Sequence, residues 1–236
     1  MASAKLLYRR LDALFGSLKT RRSQSKLVET FLETLKTNSQ YWIARGQCIE
    51  HYGTGEPYLP VLDALNRLCR QPRHEQLVAT LRQHAPTWLT QMPSIVTPAE
   101  RKRLHREVHG VSQDHMLREM AETIKTLSVE KPFILVLEDV HWSDYATLDL
   151  LALLARGREA ARMFVIATYR PQDTNGGSPL KLLKHELVVH GQGEELSLDF
   201  LSKAEVSEYL ALRFPRSEFA PVLARIIHQR SEGNPL

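Results

Sequence analysis

The run FILVLEDVHWSD, Phe133 to Asp144, constrains this chain more than any other stretch. After Pro132, five apolar residues, Phe133 to Leu137, lead without a break into Glu138 and Asp139. A strand with one wet face alternates polar and apolar residues. A continuous apolar run of this length instead reads as a strand covered on both faces, inside a parallel α/β sheet. Ligands of such sheets sit at the carboxyl ends of the strands. Two carboxylates there can hold Mg2+ through water and polarise an attacking water. They can equally be a solvated strand end, and these residues alone leave both readings open.

The rest of the chain is compatible with such a sheet. Its 236 residues are 43% hydrophobic, enough for one sizeable α/β domain and part of another. No apolar run approaches the roughly 20 residues of a membrane helix. The first residues, MASAKLLYRRLDALF, lack the apolar core of a signal peptide; Leu6, Leu7, Leu11, Leu14 and Phe15 follow helical spacing instead. Two isolated cysteines, Cys48 and Cys69, are too few for a disulfide framework or a zinc site and suit a reducing, cytoplasmic setting. The net charge of +4 is uneven: residues 1–40 carry eight Lys/Arg against three acids. A nucleic-acid surface is not indicated overall, and no membrane or direct nucleic-acid partner is expected. The cluster Lys19, Arg21, Arg22 and Lys26 could meet phosphates or be a solvated basic loop.

Helices are expected over 5–18 and 26–36, and a strand over 41–49. A helix carrying Val61, Leu62, Leu65, Leu68 and Cys69 follows the turn-rich GTGEPYLP. Residues 75–96 read as a short helix and a loop broken by Pro86 and Pro93. Thr97, Pro98 and Glu100 form a helix start with a capping box, and a long helix through Met116, Met120, Ile124 and Leu127 delivers the chain to Phe133. Beyond Asp144 come a helix to about Arg156, a second buried strand MFVIATYR, a loop, a helix, and ELSL as the last strand of the sheet. The capping box Ser202–Glu205, stapled by Leu201 and Val206, opens another helix; the last one, 218–230, stops at Gly233 and Pro235. Strands alternating with helices imply a parallel sheet flanked by helices.

Three features offer chemistry. Glu138 and Asp139 are the first. Thr168 and Arg170, in ATYRP at the end of the second buried strand, are the next; if the two strands are neighbours, they lie beside the carboxylates. An arginine there can pair with a terminal phosphate and sense its loss, or be an exposed cation. The third is Gly233 and Pro235, whose rigid turn could pack on a nucleobase or simply end a helix.

Taken in order, LVLEDVHWSDYATLDLLALLARG, FVIATYRP, RGQCIEHYGTGEPYLPVLDAL, HAPTWLTQMPS, MLREMAE and RSEGNPL resemble the nucleotide-binding domain of STAND-type signalling ATPases, of the AAA+/P-loop superfamily. The resemblance covers about residues 26–236. It implies a P-loop NTPase-like fold with sheet order similar to 5-1-4-3-2, ATP/ADP and Mg2+ as ligands, and a switch in which nucleotide state sets lid closure and self-association. Glu138 and Asp139 match the Walker B pair, in the order Glu-Asp rather than the commoner Asp-Glu. Arg170 matches the sensor-1 arginine, and Gly233 and Pro235 match the Gly-x-Pro motif of a helical lid. The implied organisation is a basic N-terminal segment over 1–25, a nucleotide-binding core over 26–200, and a partial lid over 201–236.

The family's phosphate loop, G-x-x-x-x-G-K-[ST], should precede the helix KLVETFL. The chain reads FGSLKTRRSQSKLVETFL there. Ser25 fits the Mg2+-binding hydroxyl, but Gln24 stands in the lysine position and Ser23 in the glycine position. The first strand and most of the loop are therefore expected to be missing, with a basic tract in their place, and the chain to be a core clipped at both ends. Losing three charge-assisted bonds costs upward of about 4 kcal/mol, roughly a thousandfold in affinity. The expected function is an ATP/ADP-binding switch module with impaired binding; the alternative is a nucleotide-free remnant or interaction module.

Overall fold

The computed structural model describes residues 24–36, 41–50, 55–72, 75–108, 110–157, 162–170, 178–198, 200–215 and 221–233. The expected helix over 5–18, the cluster Lys19, Arg21 and Arg22, most of the loop after Arg170, and Pro235 lie outside them. The chain divides into two compact units. The larger spans Gln40–Glu195; the smaller combines Ala2–Ser39 with Leu196–Leu236.

The larger unit is built on a parallel sheet of order β1-β2-β3, with β1 at Trp42–Gln47, β2 at Phe133–Glu138 and β3 at Met163–Ala167. Arg45 lies opposite Val136, Gln47 opposite Glu138, and Leu137 opposite Ala167. Every residue of β2 is buried, as its unbroken apolar run requires of a central strand. Phe133, Leu135 and Leu137 join Trp42 and Ala44 in the main core, while Ile134 and Val136 on the opposite face are also fully buried. β3 departs from expectation. Met163 to Ile166 are only half-buried, because among the described residues β3 has a strand neighbour on one side alone. ELSL departs further: residues 195–198 form no strand, and Leu196 and Leu198 remain 46% and 44% exposed.

The helices of this unit are α2 (Leu59–Cys69), α3 (Glu75–His84), α4 (Pro86–Thr90), α5 (Pro98–Glu107), α6 (Gln113–Glu130), α7 (Tyr145–Arg156) and α8 (Pro179–Val189). Pro86 does not break a helix but begins one, at a position where the missing N–H costs nothing. Thr97 caps α5 by accepting the Glu100 amide, yet the Glu100 carboxylate pairs with Arg82 Nε at 2.8 Å. α2 packs closely on β1 because Gly46 lacks a side chain: a Cβ there would stand 1.9 Å from the Pro60 carbonyl oxygen.

In the smaller unit, α1 (Gln24–Lys36) buries Leu27, Val28, Phe31, Leu32 and Leu35, the stripe its spacing predicts. α9 (Lys203–Arg213) and α10 (Pro221–Ser231) pack through Val206, Leu210 and Ala224, with Leu201 against them. Both bonds of the Ser202–Glu205 capping box are present. Gly233 ends α10 at φ 78, and its carbonyl accepts the Leu201 amide at 2.8 Å. A side chain there would stand 2.3 Å from the Leu201 carbonyl oxygen.

Candidate functional site

The carboxyl edge of the sheet gathers Glu138, Asp139 and Thr168, as the neighbouring-strand expectation required. The Thr168 amide donates to Leu137 O at 3.0 Å, and the Val140 amide donates to Thr168 O at 2.9 Å. Between them, the Asp139 amide donates to Thr168 Oγ1 at 3.1 Å. Thr168 is buried and thus fastens the turn that follows β2. Asp139 occupies the left-handed region at φ 56, a conformation a short polar residue tolerates and one that three such bonds can hold. The turn continues as a single 3-10 turn, Val140–Trp142.

Glu138 is buried and ion-paired. Its Oε1 lies 2.6 Å from Arg45 Nε, and the side chains are 9% and 40% exposed respectively. Ile43, Arg45 and Gln47 alternate with the buried Trp42 and Ala44, which puts Arg45 and Gln47 on the same face as Val136 and Glu138. Gln47 Nε2 approaches Asp139 Oδ2 at 3.5 Å, the outer limit of a hydrogen bond. Arg170 stands exposed two residues past Thr168, without an ion pair among the described residues. Tyr169, between them, donates to Glu195 and accepts from Lys184 Nζ at 3.1 Å, which ties the end of β3 to α8.

Asp144 belongs to the site as well, and its sequence signal is Asp-x-x-Thr ahead of an apolar helix, a capping pattern. It caps α7 by accepting the Thr147 amide at 2.8 Å and hydroxyl at 2.7 Å. The same carboxylate accepts the amide of Tyr58, at 3.1 Å. Tyr58 has φ 62 and ends the turn that starts α2, so one side chain joins two elements that frame the edge. Cys48 follows β1, its amide bonded to Glu138 O at 2.8 Å. Burial pushes its thiol up to about 11, which leaves it a packing residue rather than a nucleophile.

Of the other sequence candidates, Ser25 is exposed in the first turn of α1 and Gly233 is buried at the end of α10, both in the smaller unit. Pro235 falls outside the described residues.

Among the described residues no group of three or more His, Cys, Asp or Glu side chains could cage a metal ion. The donors at the edge are two carboxylates and a hydroxyl. Such a set fits Mg2+, which commonly takes one or two carboxylates and completes its shell with water and phosphate oxygens. No helix among the described residues is long and apolar enough to cross a membrane.

A parallel α/β sheet flanked by helices, whose buried central strand ends in two carboxylates beside a threonine on the next strand, is a P-loop NTPase-like architecture with its candidate site at the carboxyl edge. The sequence model of the AAA ATPase domain family matches residues 24–166, and the chain belongs to that family. Searches among curated proteins and among solved structures return no match.

Proposed function

We propose that this chain is the ATP/ADP-binding switch module of a STAND-type signalling ATPase, with weakened nucleotide binding. The carrying observation is the edge itself: Glu138 and Asp139 at the end of the fully buried β2, with Asp139 fastened to Thr168 of the adjoining strand. In this reading Glu138 and Asp139 hold Mg2+ and orient water, and Ser25 stands at the position of the Mg2+-binding hydroxyl in the phosphate-loop pattern. Mg2+ would supply charge neutralisation for the terminal phosphates. Arg170, exposed at the same end of β3, senses the terminal phosphate. Gly233 and Pro235 belong to a partial lid over 201–236, which follows a core over 26–200 in the chain. The setting is cytoplasmic, with self-association following nucleotide state.

Two observations favour weakened binding, and with it a second reading as a nucleotide-free interaction module. Ser23 and Gln24 stand where a phosphate loop has glycine and lysine. The half-buried β3 also fits a sheet in which, among the described residues, the first strand of a 5-1-4-3-2 order is absent.

Equilibrium binding of a fluorescent ATP analogue tests the proposal, with Asp139→Ala and Arg170→Ala as controls. Saturable, Mg2+-dependent binding that both substitutions weaken is expected. No such binding below about millimolar, some 4 kcal/mol on the affinity scale, leaves only the second reading.

A further inference from the structure

We propose that Arg45 occupies the cation position at Glu138, and that a divalent cation gains that carboxylate only when the guanidinium leaves. The inference rests on the reading of Glu138 as a Mg2+-binding residue.

Register makes the contact informative. The residue directly opposite Glu138 is Gln47; Arg45 is opposite Val136. Arg45 therefore leans along the strand to bring Nε within 2.6 Å of Glu138 Oε1. It does so from a face otherwise apolar up to that point, formed by Ile43, Ile134 and Val136. The charge it contributes leaves Glu138 and Asp139 together with one net negative charge instead of two. A divalent cation approaching Glu138 meets a carboxylate already neutralised and a like charge beside it.

The pair is also asymmetric. Glu138 is 9% exposed and fixed at the end of the buried strand; Arg45 is 40% exposed at the end of a long flexible stem. The pair opens by Arg45 returning to water, since the carboxylate has no such route. Asp139 is not guarded this way. Its neighbour Gln47 is neutral and 3.5 Å distant, and Arg170 makes no ion pair among the described residues. Exclusion is thus specific to Glu138, and it ends when an anion such as a phosphate draws the guanidinium off.

Mn2+ alone, titrated against the full chain and read by the paramagnetic resonance of the free ion, tests this without any activity assay. Arg45→Gln is expected to bind Mn2+ about tenfold more tightly than the wild type, equivalent to 1.4 kcal/mol. Arg45→Lys, which keeps a positive charge, should stay within about twofold of wild type, lysine serving as a point charge. Adding Glu138→Gln to Arg45→Gln should remove the gain. A gain of binding that Glu138→Gln cancels is a readout that a misfolded variant cannot produce. If Glu138→Gln weakens Mn2+ binding but Arg45→Gln does not strengthen it, the role of Arg45 is overturned while the Mg2+ reading stands. If no variant binds Mn2+, both are overturned, because Arg45→Gln removes the only obstacle the proposal recognises.

Discussion

Asp144 joins α7, the turn before α2 and the loop after β2 through one carboxylate, and replacing it should cost far more than an ordinary helix cap. Asp144→Ala removes the acceptor for the Thr147 amide, the Thr147 hydroxyl and the Tyr58 amide. Loss of an N-cap acceptor costs about 1 kcal/mol. Thr147 is fully buried, so its hydroxyl is left in a site without water, and Tyr58 is held in the left-handed region with its amide unpaired. Each of the two stranded donors adds about 1–3 kcal/mol, for a total of about 3–7 kcal/mol. For a unit of this size that lowers the melting temperature by about 6–28 °C. Asp144→Asn separates shape from charge. Its carbonyl oxygen can still accept both amides, while its NH2 donates to the Thr147 hydroxyl and leaves that O–H without its acceptor, so it should cost only about 1–3 kcal/mol. Urea unfolding of the two variants measures the difference. If Asp144→Ala lies within about 1 kcal/mol of wild type, or Asp144→Asn is equally costly, the carboxylate is not the joint described here.

Gly46→Ala places a methyl 1.9 Å from the Pro60 carbonyl oxygen, which a backbone cannot evade by rotating a side chain. Unfolding should show a loss of about 3 kcal/mol or more as α2 is pushed off β1, and a loss under about 1 kcal/mol contradicts the close approach. Glu119 gives a pH test. Its carboxylate accepts the Thr87 hydroxyl at 2.9 Å and amide at 3.2 Å, but burial outweighs these bonds and raises its pKa above the ordinary 4.5. The folded state then keeps the proton to higher pH than the unfolded state does. Glu119 therefore contributes most in acid, and its contribution fades as pH rises through the raised value. The stability difference between wild type and Glu119→Gln should shift in that direction from acid to neutral pH; a pH-independent difference refutes it.

Elements whose cause is local were legible in the sequence. β2 is fixed by an apolar run too short for a helix and bounded by Pro132, and α1 by a single apolar stripe. The starts of α5, α7 and α9 are set by capping side chains three residues from the amides they accept. What failed depended on a distant partner. MFVIA has the composition of a buried strand, yet burial is conferred by neighbours on both sides, and β3 has one among the described residues. ELSL has the alternation of a strand but no ladder to join, so Leu196 and Leu198 stay exposed. Residue pattern proposes a strand; pairing decides whether it exists.

The candidate site shows the same division. Glu138 and Asp139 were visible because they interrupt an apolar run, and Thr168 because it ends the next one. Within RGQCIE nothing local marks Arg45, although an arginine alternating with Trp42 and Ala44 must project from the face that β2 makes apolar. That placement favours an anion within reach, with solvent as the alternative for a side chain 40% exposed. Glu138 is the acid that register brings within reach. The sequence could thus have nominated Arg45 once the β1–β2 register was known, but not before, because shifting the register by one residue would turn its side chain to the opposite face. The chemistry of this edge therefore rests on a nonlocal fact, the pairing of β1 with β2. Its first consequence is a carboxylate already matched by a cation before any ligand arrives.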